Sequence, residues 1–104
     1  MALVARWAAI WSPPLSRGSV EVWDECLVFD GWSGPGERWA RFNWSDVAAV
    51  RRATSSERLK GLPTIVLEIV DGQEIEVAPL ECGVLTVLQR IADAHAHETQ
   101  IAAR

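Results

Sequence analysis

The sequence predicts a mainly β fold of the α+β class, in which a bent antiparallel sheet or partly open barrel of about seven strands is capped by one C-terminal helix. Three observations predict it. The first 80 residues consist of short strand-like runs separated by turn and loop residues. The dipeptide Asp71-Gly72 joins two of these runs, as a tight hairpin requires. After Pro79 the apolar residues recur at the spacing of an amphipathic helix.

The length of 104 residues fits one domain, and 49% hydrophobic with 23% charged residues is typical of a globular chain. We therefore expect a single domain over residues 1–104. Its core spans about residues 15–96, residues 1–14 hold the first strand, and residues 98–104 form a tail.

Each strand is predicted from a run of β-branched, aromatic or alternating residues that ends at turn residues. The runs are residues 7–11, 20–23, 26–29, 39–44, 47–50, 64–70 and 74–78. A helical turn is the alternative for residues 7–11. Asp30-Gly31 and residues 33–36 are predicted as a flexible loop, because glycine and proline favour turns.

The C-terminal helix is predicted from about residue 82 to residue 97. Val84, Leu88 and Ile91 fall at positions i, i+4 and i+7, and Leu85 and Ala92 widen this apolar stripe. Because the helix follows all the strands, the stripe is expected to pack on the sheet.

Six tryptophans, at positions 7, 11, 23, 32, 39 and 44, lie in the first 44 residues, beside two phenylalanines and no tyrosine in the chain. Most are expected to be core or half-buried, and the others to line a contact surface, because an indole combines a large apolar area with one N–H donor. Trp32 and Trp39 are our candidate partner-binding tryptophans.

Residues 51–60 carry four cations and one anion, a local charge of +3 in a chain of net −4, which leaves −7 for the remainder. Such a loop can bind a carboxylate-rich partner or an anionic headgroup. The alternative is an exposed loop that is polar for solubility. The candidate residues are Arg51, Arg52, Arg58 and Lys60.

No residue pattern predicts catalysis, a metal site or a cofactor. Cys26 and Cys82 lack a C-x-x-C spacing and are expected to be reduced thiols, with a disulfide left open. His95 and His97 lie about 200° apart around the helix, so we expect a solvated helix end that cannot chelate one ion. The acidic balance argues against nucleic-acid binding. No apolar run is long enough to cross a bilayer and no signal peptide is predicted, so we expect a cytoplasmic protein.

Four segments resemble the pleckstrin-homology-like superfold, including the bacterial PH and GRAM-like domains. Residues 15–29, LSRGSVEVWDECLVF, resemble its glycine-led first hairpin, and residues 43–50, NWSDVAAV, its step into the middle strand. Residues 69–75 are similar to its late hairpin and residues 84–94 to its capping helix. The resemblance implies two nearly orthogonal halves of a bent sheet, with the helix plugging one open end.

The resemblance also bears on function. Phosphoinositide-binding members carry several Lys and Arg residues around the first hairpin loop, whereas residues 12–19 offer Arg17 alone. We therefore predict a non-catalytic module that binds a protein partner or a second copy of itself. The alternative is peripheral binding to an anionic membrane surface through residues 51–60. The third hypothesis is a small enzyme or ligand-binding barrel.

Overall fold

A computed structural model describes residues 1–34 and 36–102 as one antiparallel sheet and a C-terminal helix, which confirms the predicted fold class. The elements are β1 (Leu3–Ser12), β2 (Ser16–Trp23), β3 (Cys26–Ser33), β4 (Gly36–Asn43), β5 (Val47–Arg52), β6 (Ile65–Ile69), β7 (Glu74–Pro79) and α1 (Val84–Ala102). Short 3-10 turns cover Trp44–Asp46, Ser55–Glu57 and Leu59–Gly61.

The strand order is β4-β3-β2-β1-β7-β6-β5, so the sheet consists of two meanders that meet at β1 and β7. β1 pairs with β2 along most of its length, but with β7 only from Ala9 to Ser12. The pairing of β1 with β7 joins the two meanders into one curled half-barrel, whose two ends, β4 and β5, are edge strands. The turn Trp44–Asp46 connects these two edges along the chain.

Helix α1 covers the concave side of the half-barrel through one face. Val87 and Ile91 are fully buried, and Val84, Leu88 and Ala94 pack beside them. Leu85, which we predicted to widen the stripe, is 60% exposed. At 3.6 residues per turn it lies about 100° from Val84, outside the buried face, while the unpredicted Val87 completes that face.

The tryptophans divide by their place in the sheet. Trp11 and Trp44 are buried, and Trp11 packs against Phe29 with ring centroids 5.3 Å apart. The indole N–H of Trp44 donates to the carbonyl oxygen of Trp23 at 3.0 Å. Trp7 and Trp23 are half-buried, and Trp32 and Trp39 are exposed. The core therefore includes the indoles of Trp11 on β1 and of Trp44 in the turn after β4.

The predicted loop over residues 30–36 is wrong for most of its length. β3 continues through Ser33, and β4 begins at Gly36, so Asp30, Gly31 and Ser33 are strand residues. Pro35 lies outside the described residues. Gly31 pairs directly with Gly18 of β2, so its lack of a side chain serves close strand packing instead of a turn.

In the part of the chain that the structure describes, we find no helix whose length and apolar character suit a bilayer crossing. The apolar segment near the N-terminus is β1, an integral strand of the sheet.

Candidate functional site

Trp32 and Trp39 lie on the outer face of the hairpin formed by β3 and β4. In the register of this hairpin Trp32 is opposite Glu37, and Asp30 is opposite Trp39. Because alternate residues of a strand share a face, all four side chains lie on one side of the sheet. The tryptophans are 60% and 65% exposed. We call these four residues the Trp32–Trp39 surface.

The strands beneath this surface are held by close backbone packing. A Cβ atom on Gly18 would collide with the carbonyl oxygen of Asp30 and with the Cα atom of Gly31. The indole N–H of Trp11 donates to that carbonyl oxygen at 2.9 Å. The hydroxyl of Ser19 donates to the Asp30 carboxylate at 2.7 Å. The outer face of β3 therefore lies over strands that are closely packed and hydrogen-bonded to each other.

The Trp32–Trp39 surface borders an open groove of about 530 Å³. Its lining includes both tryptophans together with three carboxylates, those of Asp30, Glu37 and Glu81. Arg6 also lines it, but its guanidinium is 3.2 Å from the carboxylate of Glu21. Sequence reasoning selected the two tryptophans and missed the carboxylates, although the alternation of residues 37–41 places Glu37 on the same face as Trp39.

β4 forms one end of the sheet, and its outward edge pairs with no strand among the described residues. All eight of its residues pair with β3 without a register shift. Its outer face presents Glu37, Trp39 and Arg41 in that order, and all three are exposed. The main packing partners of α1 are β2, β5, β7 and the turn Trp44–Asp46, so the helix leaves most of this edge uncovered.

The basic segment 51–60 is organised differently from what its charge predicts. Arg51 belongs to β5 and forms a bidentate ion pair with Glu57, with both N–O distances 2.8 Å. The same guanidinium lies 3.4 Å from Glu68 and 3.1 Å from Glu74, two carboxylates that face each other across β6 and β7. Directly opposed like charges are unfavourable, and the Arg51 cation beside both carboxylates offsets part of their repulsion. Its cation is therefore engaged within the chain.

These contacts also set the protonation of Glu57. The side-chain hydrogen bonds from Arg51, and then those from the backbone and hydroxyl of Thr54, lower the pKa of Glu57 to about 2. The same hydrogen bonds from Arg51, opposed by partial burial, raise the Arg51 pKa. The pair stays ionised at physiological pH and stabilises this part of the fold.

The other three basic candidates, Arg52, Arg58 and Lys60, are exposed. Among the described residues no salt bridge includes them. Lys60 lines a hollow of about 180 Å³ together with Leu15, Arg17 and Trp32. The structure therefore brings two candidate residues from different predicted regions, Trp32 and Lys60, to one depression. The geometry does not add Arg51, Arg52 or Arg58 to it.

Neither cysteine forms a disulfide. Cys26 is buried and Cys82 half-buried, and burial raises the pKa of both thiols. Among the described residues no three His, Cys, Asp or Glu side chains form a group that could hold a metal ion.

His95 corrects the prediction of a solvated helix end. Its Nε2 donates to the carbonyl oxygen of Val47 at 2.6 Å, and its ring centroid is 6.3 Å from that of Trp44. His97 is exposed. His95 therefore joins the helix to the start of β5.

No protein-family model matches this chain, and no curated protein is similar to it in sequence. Its fold is similar to that in the crystal structure of the C-terminal domain of an unknown protein from Leishmania infantum. The TM-score is 0.64 and the sequence identity 12%, over 77% of this chain and 72% of the other. This likeness concerns the fold alone.

Proposed function

We propose that this chain is a non-catalytic protein-interaction module of pleckstrin-homology-like fold, acting in the cytoplasm. The fold assignment rests on the two joined meanders, the C-terminal helix on their concave side, and the sequence segments that resemble that superfold. The partner binds at the Trp32–Trp39 surface.

The observation that carries this proposal is the exposure of two tryptophans on one face of the β3–β4 hairpin. A large aromatic side chain in water contributes nothing to the core, whereas a partner that covers it gains apolar burial. Tryptophan is also enriched among residues that dominate binding energy at protein interfaces. Because the strands beneath are closely packed, ordering this surface on binding should cost little conformational entropy.

Affinity capture from the native cells tests the proposal. The bait is the full chain, compared with a Trp32→Ala/Trp39→Ala variant and with Leu85→Ala, which removes a comparably exposed apolar side chain from the helix. We expect proteins retained by the wild type and by Leu85→Ala to be lost by the double variant. Equal retention by all three baits would contradict the proposal.

A second candidate function is peripheral binding to an anionic membrane surface. The hollow lined by Leu15, Arg17, Trp32 and Lys60 supports it, since it combines two cations with two exposed apolar side chains. Basic residues attract anionic lipids, and tryptophan is typical of the membrane interface. In this membrane-binding hypothesis the cations are Arg17 and Lys60, because Arg51 is paired within the chain.

Co-sedimentation with vesicles that contain phosphatidylserine tests the second function. Binding should appear at low salt, weaken as salt rises, and be lost in Arg17→Glu/Lys60→Glu. Arg52→Glu/Arg58→Glu is the matched control, because it changes the same total charge away from the hollow. Equal loss in both variants would indicate a general charge effect and exclude a site at the hollow.

A further inference from the structure

The free edge of β4 carries a charge pattern that complements itself. On its outer face a carboxylate (Glu37) and a guanidinium (Arg41) lie two residues either side of Trp39. When two copies of such a strand pair antiparallel about a two-fold axis at Trp39, each carboxylate faces the other copy's guanidinium. The two indoles face each other at the centre.

We propose that the partner at this edge is a second copy of the chain, and that the two β4 strands join both sheets into one continuous antiparallel sheet. This inference rests on the proposed function, because it names the partner of the same hairpin. An unpaired edge offers a row of backbone donors and acceptors that an added strand can satisfy. A two-fold axis perpendicular to the sheet keeps both outer faces on the same side, so side chains meet as in an ordinary antiparallel pair.

The pattern also selects the register. When two copies of one strand pair antiparallel about a two-fold axis, one residue must lie opposite the same residue of the other copy. This follows because two directly opposed residues both point their N–H and C=O groups toward the partner strand, or both point them away. Centring the pair on Arg38 would oppose two guanidinium groups, which is unfavourable. Centring it on Ala40 would place Glu37 opposite Asn43 and leave its charge uncompensated. Only the register centred on Trp39 pairs both charges, and it places Arg38 opposite Ala40 on the inner face.

The opposite edge of the sheet lacks these properties. β5 has six residues, and its pairing with β6 shifts register between Val47 and Ala49. Shortness and irregularity are among the devices that protect an edge strand from pairing. β4 has eight regularly paired residues and an exposed tryptophan at its centre. Self-association is therefore expected at β4 and not at β5.

Sedimentation velocity on the full chain, over a dilution series from roughly 1 mM to 10 µM, tests the inference. The wild type should dissociate from dimer to monomer across the series. Glu37→Arg and Arg41→Glu each replace two attractive cross-strand pairs by repulsive ones, so each should weaken the dimer about tenfold or more. Both side chains are exposed in the single chain, and a thermal melt confirms that each variant is folded.

The decisive arm mixes the two variants. One carries cations at both positions and the other anions, so an equimolar mixture should form a heterodimer at concentrations where each alone is monomeric. Arg52→Glu, a matched charge reversal on the other edge strand, should dimerise like the wild type.

A wild-type chain that stays monomeric throughout overturns the inference, as does a mixture that stays monomeric or a dimer lost only in Arg52→Glu. A monomeric chain whose captured proteins still depend on Trp32 and Trp39 overturns the inference but leaves the proposed function standing.

Discussion

The two edge strands of the half-barrel differ in how much of their surface the chain itself uses. At the β5 edge Arg51 is bound by three carboxylates, and the helix packs against the strand. At the β4 edge Trp39 and its neighbours on the outer face are exposed, and the outward edge has no strand beside it among the described residues. The comparison shows that a charge run and an aromatic cluster must be judged by what contacts them within the fold.

The largest expected effect comes from breaking the packing between helix α1 and the sheet. Ile91→Ala removes a fully buried side chain between the helix and the sheet, which should lower the free energy of unfolding by about 3 kcal/mol. Chemical denaturation measures the change. Leu85→Ala on the exposed face of the same helix should stay within about 0.5 kcal/mol of wild type, and equal losses would contradict the helix orientation described above.

The second-largest expected effect is a loss of stability at the β2 and β3 strands under the Trp32–Trp39 surface. Gly18→Ala forces a Cβ atom into the backbone of Asp30 and Gly31, so it should cost about 2 kcal/mol of unfolding free energy. Gly83→Ala is the control, because a Cβ atom there would meet nothing within 4 Å. A neutral Gly18→Ala would show that β2 and β3 are not packed as closely as described.

A smaller effect tests whether the β5 edge is stabilised by its own ion pairs. The pKa of Glu57 falls from 4.5 to about 2 on folding, so its contribution to stability is present above about pH 4.5 and is lost as the pH drops toward 2. Glu57→Gln should therefore be less stable than wild type at pH 7, with most of the difference lost as the pH falls to 2. Thermal melts measure this, with the exposed Glu25→Gln as control, and a difference as large at pH 2 as at pH 7 would contradict the ion pair.

The smallest expected effect belongs to the exposed tryptophans. Trp32→Ala and Trp39→Ala should each change the free energy of unfolding by no more than about 0.5 kcal/mol, because the side chains stand largely in solvent. Denaturation at a concentration where the chain is monomeric measures it. A loss of several kcal/mol for either variant would assign that indole to the folding core instead of to binding.

Periodicity predicted the architecture of this chain well. Alternating runs indicated the seven strands and a change of period indicated the helix, because burying one face imposes a fixed spacing on the sequence. Local composition was less informative. The glycines of residues 30–36 read as a loop, but Gly31 serves close packing against Gly18, a requirement that appears only when the strands are paired.

The candidate site could be predicted only in part, because some of its features depend on strand faces and others on contacts between distant residues. The exposure of Trp32 and Trp39 follows from which strand face each occupies. The neutralisation of Arg51 depends on Glu68 and Glu74, which are 17 and 23 positions away along the chain. His95 contacts Val47 across 48 positions. Long-range contacts of this kind leave no local signal in a single sequence.

Site-specific photo-crosslinking in the native cells tests most directly whether protein association occurs at the β4 side of the molecule. A photoreactive phenylalanine is placed at Trp39, at Arg52 or at Leu85, one position at a time, in the full chain. We expect protein adducts, to a second copy or to another protein, from position 39 and none above background from positions 52 and 85. Adducts from position 52 or 85 with none from position 39 would contradict it.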